Sequence, residues 1–148
     1  MSSLVVDASV AVKWFVPEIH SDAAAAWLDR GVDLLAPDLI FAEVGNIVWK
    51  KIARHEIDDD EARRILRAFQ SIPFASRAAA SLLPIAFEIA FGLSRTVYDC
   101  MYLALAVAED SVVVTADRKL YDVVAASALH RQICWVEETA EALSARRA

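Results

Sequence analysis

Four short apolar runs recur along the chain, and the sequence between them carries apolar residues at helical spacing. The runs are LVVDA, VDLLAP, SVVVT and ICWV, in chain order. Continuous apolar runs are typical of strands that are covered on both faces, and strands that alternate with helices favour a parallel sheet. We therefore expect an α/β fold with a central parallel sheet of four or five short strands and helices on both sides.

The helix assignments follow from apolar periodicity and from capping residues. Gly31 is placed to end the first helix, and Asp58 and Glu61 have capping-box spacing. Ser81 is expected to cap a helix that has Pro84 in its first turn, where proline is tolerated. Apart from the helix that follows Ser81, the predicted helices cover residues 21–30, 38–54, 58–71, 95–110, 117–127 and 137–148. The stretch SIPFASRAAA between the third and fourth helices receives no assignment.

A length of 148 residues fits one domain with a sizeable core. We expect a single domain over residues 1–148, with 1–140 as its core and 141–148 as the end of a terminal helix. The first residues lack the basic region of a secretory signal. The longest apolar stretch, SLLPIAFEIAFGL, contains Glu88 and is too short to span a bilayer. These features predict a soluble, cytoplasmic protein with no membrane segment.

Histidine and cysteine chemistry is disfavoured by the positions of these residues. Cys100 and Cys134 lie in apolar segments without CxxC spacing, so we expect both in the core. His20, His55 and His130 are scattered and match no metal-ligand or triad spacing. The net charge of −6 does not itself suggest a nucleic-acid ligand. Bound divalent cations would offset part of that charge, so it does not exclude an RNA substrate.

Four carboxylates stand in apolar surroundings. Asp7 ends the first predicted strand and Asp117 follows SVVVT, which places both at the carboxyl ends of strands, where open α/β sheets bind ligands. Glu43 and Asp99 lie on predicted helices, and their neighbours at helical spacing are apolar. A carboxylate on such a face points toward the protein interior, so the four side chains are expected to converge.

Three of these acids also have a purely structural interpretation. In the structural interpretation, Glu43 is a partly buried acid that pairs with Lys50 or an arginine. Asp99 follows Thr96 at capping-box spacing, and Asp117 is placed to be the N-cap of the helix that it precedes. Asp7 has the weakest alternative, because no local structure explains a carboxylate at that point.

A cluster of like-charged carboxylates raises the pKa of its members unless a cation neutralises it. Ligand sets made only of oxygen atoms suit hard cations such as Mg²⁺ or Mn²⁺. Such an ion lowers the pKa of a bound water and so provides a nucleophile for attack on phosphorus, and a second ion about 3.5–4 Å away stabilises the leaving oxygen. The pattern therefore indicates metal-dependent phosphate chemistry without a histidine or serine nucleophile.

With these residues in place, the chain resembles a PIN domain, and most closely a VapC-like toxin ribonuclease. The resemblance covers nearly the whole chain and rests on VVDASV, FAEVGN, TVYDCMYLALA and VVVTADRKL, in that order. It implies a central parallel sheet with helices on both sides and Mg²⁺-dependent endoribonuclease activity, with Mn²⁺ as a substitute. It also implies a homodimer and a cognate VapB-like antitoxin protein that inhibits the enzyme.

The resemblance assigns roles to particular residues. Asp7 and Asp99 match the principal metal ligands of the family, and Glu43 and Asp117 complete the acidic quartet. Supporting roles fall to Thr115, which matches a hydroxyl beside the first aspartate, and to Asn46 and Ser9. The candidate contacts to RNA phosphates are Lys13, Arg95, Arg118 and Lys119, with solvated surface charge as their alternative. Trp14, Trp27 and Trp49 belong either to the core or to an apolar groove for an antitoxin helix.

Three other functions compete with this interpretation. A Mg²⁺-dependent phosphate hydrolase of the haloacid-dehalogenase type needs a second aspartate two residues after the first, where this chain has Ser9. A receiver module needs a phosphoacceptor strand in the middle of the chain, and VDLLAP does not offer one. A catalytically weak PIN fold that acts only as a binding module would not need the intact acidic quartet.

Overall fold

The structure is a computed structural model that describes residues 3–148. Five strands form one sheet in the order β3-β2-β1-β4-β5, and every neighbouring pair is parallel. The strands are β1 (Ser3–Val6), β2 (Asp33–Pro37), β3 (Ala75–Arg77), β4 (Val113–Thr115) and β5 (Ile133–Trp135). The expected α/β architecture is confirmed, and the sheet has five strands.

Eight helices accompany the sheet within the described residues. They are α1 (Ala8–Ala11), α2 (Ser21–Leu28), α3 (Leu39–Ala53), α4 (Asp59–Gln70), α5 (Ala79–Leu93), α6 (Val97–Ala108), α7 (Arg118–Ala125) and α8 (Ala140–Arg147). Short 3-10 turns lie at Val12–Trp14 and His130–Gln132. Asp58 caps α4 as expected, since its Oδ1 accepts the Glu61 N–H at 2.7 Å. The single turn of α1 has no counterpart in the sequence assignment.

Strand β3 comes from the stretch that received no assignment from the sequence. It pairs with β2 through the registers Leu35–Ala75 and Pro37–Arg77. All three β3 residues are exposed, so this edge strand carries no apolar pattern that would reveal it. Backbone pairing with β2, and not side-chain burial, makes it a strand.

The expected start of the fourth long helix is wrong. Helix α5 begins at Ala79 and not after Ser81, because the first backbone N–H of α5 donates to Asp38 Oδ1 at 2.9 Å. The Ser81 hydroxyl instead donates to the Ala78 carbonyl at 2.8 Å. Pro84 consequently lies past the first turn, where proline removes one helical hydrogen bond.

The core lies on both faces of the sheet. Leu4, Val5 and Val6 of β1 are all fully buried, and successive strand residues point to opposite faces, so both faces of β1 are covered. Helix α6 is buried over seven consecutive residues, from Cys100 to Ala106, and packs against β1, β2 and β4. Both cysteines are in this core as expected, and burial raises the pKa of the Cys100 thiol to about 11.

No single helix within residues 3–148 has both the length and the apolar composition of a membrane span. Helices α5 and α6 have both only as a pair, with a bend of 115° between them.

The strand order indicates which edge of the sheet is suited to ligand binding. The chain builds outward from β1 to β2 and β3 on one side, and adds β4 and β5 on the other. The carboxyl ends of β1 and β4 therefore meet where the winding reverses, which is the ligand-binding position of open α/β sheets. Asp7 follows β1 directly, and Asp117 lies two residues after β4.

Candidate active site

Asp7 is the most buried acid of the site, with 8% of its surface exposed. Its Oδ2 accepts hydrogen bonds from Ser9 Oγ at 2.8 Å and from Thr115 Oγ1 at 2.7 Å. Burial raises the pKa of the carboxyl group, the two hydroxyls oppose that rise, and the charges of Asp99 and Asp117 add to it. The hydroxyls therefore favour the charged form of a carboxylate that burial disfavours.

The same two hydroxyls are held in place by the turn between β4 and α7. Ser9 Oγ accepts the Ala116 N–H at 3.0 Å, and Thr115 Oγ1 accepts the Asp117 N–H at 3.1 Å. Since a hydroxyl has one proton to donate and these oxygens already accept backbone N–H groups, the protons are available for Asp7. The turn that carries Asp117 thus also orients the donors to Asp7.

Glu43 projects from α3 and is half-buried. Its Oε1 accepts a hydrogen bond from the Tyr102 hydroxyl at 2.6 Å, and the Tyr102 side chain is almost completely buried on α6. Burial raises the pKa of Glu43, the Tyr102 hydroxyl opposes the rise, and the charges of Asp7 and Asp99 increase it. Glu43 therefore pairs with this neutral phenol, whereas the structural interpretation of the sequence expected Lys50 or an arginine as its partner.

Sequence reasoning missed Tyr102 as a functional residue. Tyr102 lies three residues after Asp99 on α6, at one of the positions that the helical pattern treats as apolar. A phenol inside an otherwise apolar helix was the available signal, because a buried tyrosine hydroxyl usually has a hydrogen-bond partner. Burial and the nearby acids raise the pKa of Tyr102, so it remains a protonated donor.

Asp99 and Asp117 both face the guanidinium group of Arg95. Arg95 Nη2 lies 2.8 Å from Asp99 Oδ2 and 3.9 Å from Asp117 Oδ2. Thr96 caps α6 by accepting the Asp99 N–H at 3.2 Å, so the capping role belongs to the threonine and leaves the Asp99 carboxylate for Arg95. Asp117 does cap α7, since its Oδ1 accepts the Leu120 N–H at 3.2 Å, while its Oδ2 faces the guanidinium.

The four carboxylates lie close enough to influence one another, because the charges of Asp99 and Asp117 raise the pKa of Asp7, and those of Asp7 and Asp99 raise the pKa of Glu43. In the arrangement given for residues 3–148, no three acid, histidine or cysteine side chains are grouped closely enough to hold one metal ion. Three of the acids already have protein partners. Arg95 pairs with Asp99 and Asp117, and Tyr102 donates a hydrogen bond to Glu43.

The donor set nevertheless fits a hard cation. It consists of carboxylate oxygens, with neither histidine nitrogen nor thiolate beside them, which is the ligand chemistry that Mg²⁺ and Mn²⁺ prefer. Both hydroxyl bonds to Asp7 end on Oδ2, and no hydrogen bond within the described part of the chain reaches Oδ1. Asp7 is therefore oriented through Oδ2, and Oδ1 would be the atom available to a bound cation.

The remaining candidates lie in different settings. Lys13 is not a free cation, because its Nζ lies 3.0 Å from Glu18 Oε1 and its side chain is 9% exposed. Asn46 and Lys119 are exposed, on α3 and α7. Arg118 is also exposed, and its guanidinium lies over the Trp135 ring at 3.9 Å. Of the four cations considered for phosphate contacts, Arg95 alone directly touches the acidic quartet in the described structure.

Comparison with known proteins agrees with this fold. The model of the PIN domain family matches residues 4–126, which include all four carboxylates. The chain is 36% identical over 121 residues to Ribonuclease VapC3 of Pyrobaculum aerophilum, and the match covers 79% of this chain and 91% of the relative. The chain belongs to the PIN domain family, as the sequence resemblance predicted.

Solved structures show the same fold. PAE2754 from Pyrobaculum aerophilum superposes with a TM-score of 0.66 at 26% identity, covering 97% of this chain and 90% of that one. A chain of a toxin–antitoxin complex from Klebsiella pneumoniae superposes with a TM-score of 0.62 at 12% identity, covering 92% and 99%. The second likeness concerns the fold alone.

Proposed function

We propose that this protein is a metal-dependent endoribonuclease that acts as the toxin of a toxin–antitoxin pair. The observation that carries the proposal is the buried Asp7 carboxylate at the carboxyl end of β1, which two hydroxyls orient and whose charge interacts with those of Glu43, Asp99 and Asp117. The 36% identity to Ribonuclease VapC3 supports RNA as the substrate.

In this proposal, Asp7 and Asp99 are the principal ligands of Mg²⁺ or Mn²⁺, and Glu43 and Asp117 complete the site. A bound divalent cation supplies Lewis-acid stabilisation of phosphate charge and lowers the pKa of an attacking water. Ser9 and Thr115 hold the Asp7 carboxylate in one orientation, as outer partners of metal ligands usually do.

Arg95 has a second role in this proposal. Its Nε–H is buried and has no hydrogen-bond acceptor among residues 3–148. A turn of the guanidinium from Asp99 toward an RNA phosphate would release a carboxylate for the cation and give the arginine a bidentate acceptor. With substrate and cation bound, Arg95 would therefore exchange one anionic partner for another.

The test is cleavage of RNA by the purified chain. Single-stranded and hairpin RNAs are incubated with Mg²⁺, with Mn²⁺ and with EDTA, and an Asp7→Asn protein prepared in parallel controls for contaminating nucleases. We expect cleavage only with the cations and only by the parent protein. Equal cleavage in EDTA, or by the Asp7→Asn protein, would contradict the proposal.

The proposed antitoxin has a suitable surface on α3 and α4. A groove of about 330 Å³ lies between these helices, and Val48, Trp49, Ile52 and Leu66 contribute its apolar lining. Trp49 is 62% exposed, which suits contact with an apolar segment of a small partner. We expect this pair to act in the cytoplasm, and the product of the neighbouring gene to bind the toxin and inhibit cleavage.

Co-purification of the two gene products tests this partner. Trp49→Ala should weaken the complex, whereas Ile19→Ala, which removes an exposed apolar side chain elsewhere, should not. Failure of the neighbouring product to bind would contradict the toxin–antitoxin assignment and leave the nuclease proposal intact.

The proposed homodimer has a surface on α5. Leu83, Phe87 and Phe91 recur every four residues and are 47%, 57% and 82% exposed, so they form one apolar stripe. An exposed apolar stripe of this kind is typical of a protein interface. Light scattering should give a dimer for the parent and a monomer for Phe87→Asp, with Ile19→Asp as the control that remains dimeric.

A further inference from the structure

Arg118 and Trp135 form a stacked pair at the carboxyl edge of the sheet. The Arg118 guanidinium carbon lies 3.9 Å from the centre of the Trp135 ring, and Arg118 Nη1 is 3.8 Å from Asp122 Oδ1. The Arg118 side chain is 55% exposed. A guanidinium that covers an aromatic ring with one face keeps the opposite face for another flat group.

The Trp135 ring is fixed beneath the arginine. Its Nε1 donates to Glu137 Oε1 at 3.0 Å, and the rings of Tyr121 and His20 lie 5.8 Å and 5.5 Å away. The tryptophan therefore holds one orientation before any ligand binds, and the guanidinium above it is a preorganised surface. Binding to such a surface costs little side-chain ordering.

The stacked pair lies beside the acidic site. Trp135 is in register with Thr115 on the neighbouring strand, and Thr115 donates to Asp7. Arg118 directly follows Asp117 and is the first residue of α7. Adjacent strands lie about 4.8 Å apart, so Trp135 stands one strand from β4, which Asp117 follows, and two strands from β1, which Asp7 follows.

We propose that the Arg118–Trp135 pair stacks on an unpaired base of the RNA next to the cleaved phosphate. This inference rests on the proposed ribonuclease function and adds a contact that selects single-stranded segments, because a base must leave its duplex to stack on a protein side chain. Proteins bind splayed RNA bases on aromatic rings and on arginine planes in this way. The neighbouring Lys119 is exposed and provides a charge without a flat surface.

The experiment uses the full-length Asp7→Asn protein with Mg²⁺ and single-stranded oligoribonucleotides that carry 2-aminopurine at successive positions. Stacking quenches the fluorescence of this base. Arg118→Lys keeps the charge and removes the planar guanidinium, and Arg131→Lys makes the same change at an exposed arginine in the 3-10 turn before β5. Lys119→Ala serves as the comparison for a simple phosphate contact.

We expect quenching at one position in the parent background and its loss in Arg118→Lys, with affinity weakened by at least roughly fivefold. Arg131→Lys should behave as the parent. The salt dependence of binding should stay unchanged in Arg118→Lys, because the charge is retained, and should decrease in Lys119→Ala if that lysine contacts a phosphate.

Parent-like quenching and affinity in Arg118→Lys, with a reduced salt dependence in Arg118→Ala, would overturn the proposal and make Arg118 a phosphate contact only. Equal rates of RNA cleavage by the wild-type protein and by its Arg118→Lys variant would also overturn the stacking proposal, but would leave the proposed ribonuclease function intact. A wild-type protein that neither binds nor cleaves RNA would overturn the proposed function together with this inference.

Discussion

The two halves of the acidic site are stabilised by different chemistry. Asp7 and Glu43, the inner pair, accept hydrogen bonds from the neutral hydroxyls of Ser9, Thr115 and Tyr102. Asp99 and Asp117, the outer pair, face the Arg95 guanidinium, and their side chains are 26% and 40% exposed. Neutral donors orient a carboxylate without cancelling its charge, whereas a guanidinium cancels charge and orients at once.

This difference indicates where the site keeps its unbalanced negative charge. The pKa values of both inner carboxyls are raised chiefly by burial, and the charges of neighbouring acids add to that rise, so keeping these groups charged costs free energy. The outer pair reduces that cost through Arg95. We infer that a metal ion relieves repulsion mainly at the inner pair and competes with Arg95 at the outer pair.

The largest expected effect comes from removing charge from the inner pair. Asp7→Asn keeps the size of the side chain and an oxygen for the Ser9 and Thr115 hydroxyls but loses the anion. We expect the rate of RNA cleavage to fall by more than about 100-fold, the upper end of the cost of losing a residue that only supports a metal ligand. Single-turnover cleavage assays measure this, with Asp29→Asn as the exposed control. A loss of less than tenfold would remove Asp7 from the ligand set.

A smaller loss is expected when the inner pair keeps its charge but loses a donor. Tyr102→Phe removes the hydroxyl that holds Glu43 and should weaken Mn²⁺ binding and cleavage by about 10- to 100-fold. Titration of the protein with Mn²⁺, followed by electron paramagnetic resonance of the free ion, measures affinity without RNA. Tyr98→Phe on the exposed side of α6 is the matched control. Parent-like Mn²⁺ affinity in Tyr102→Phe would show that Glu43 needs no positioning.

At the outer pair the comparison predicts a change of opposite sign. Arg95→Gln removes the cation that competes with the metal, so Mn²⁺ should bind more tightly, by roughly two- to fivefold for a partly exposed ion pair. The gain should shrink as salt is added, because ions screen the pair. Arg77→Gln, which breaks the ion pair with Glu109 away from the site, should leave the affinity unchanged. Weaker Mn²⁺ binding in Arg95→Gln would mean that Arg95 supports the outer pair in a metal-competent position.

The last expected effect concerns stability without metal. Because the folded pKa of Asp7 lies above its unfolded value near 4, the folded protein binds more protons, and its stability falls as the pH rises through the folded pKa. Asp7→Asn removes this loss. In EDTA the variant should melt at a higher temperature than the parent at pH 8, and the difference should narrow toward pH 4. A difference independent of pH would assign the gain to packing.

Local patterns in the sequence were sufficient for most elements. The apolar runs of β1, β2, β4 and β5 are visible because these strands are covered on both faces. The four acids were found because each interrupts an apolar pattern. Strand β3 and the start of α5 were not predictable in this way, since β3 is exposed and α5 is capped by Asp38 from the end of a different strand.

The sequence by itself determined the α/β order, the cores of the helices and the placement of acids at strand ends, because these follow from the residues within one turn or one strand. Tertiary structure decided which partner each acid has. The Tyr102–Glu43 bond joins residues 59 positions apart, and the Thr115–Asp7 bond joins residues 108 positions apart. The stacking of Arg118 on Trp135 likewise depends on β5 pairing with β4. Contacts of this kind exist only once distant segments pack, because no local pattern specifies which side chains will meet.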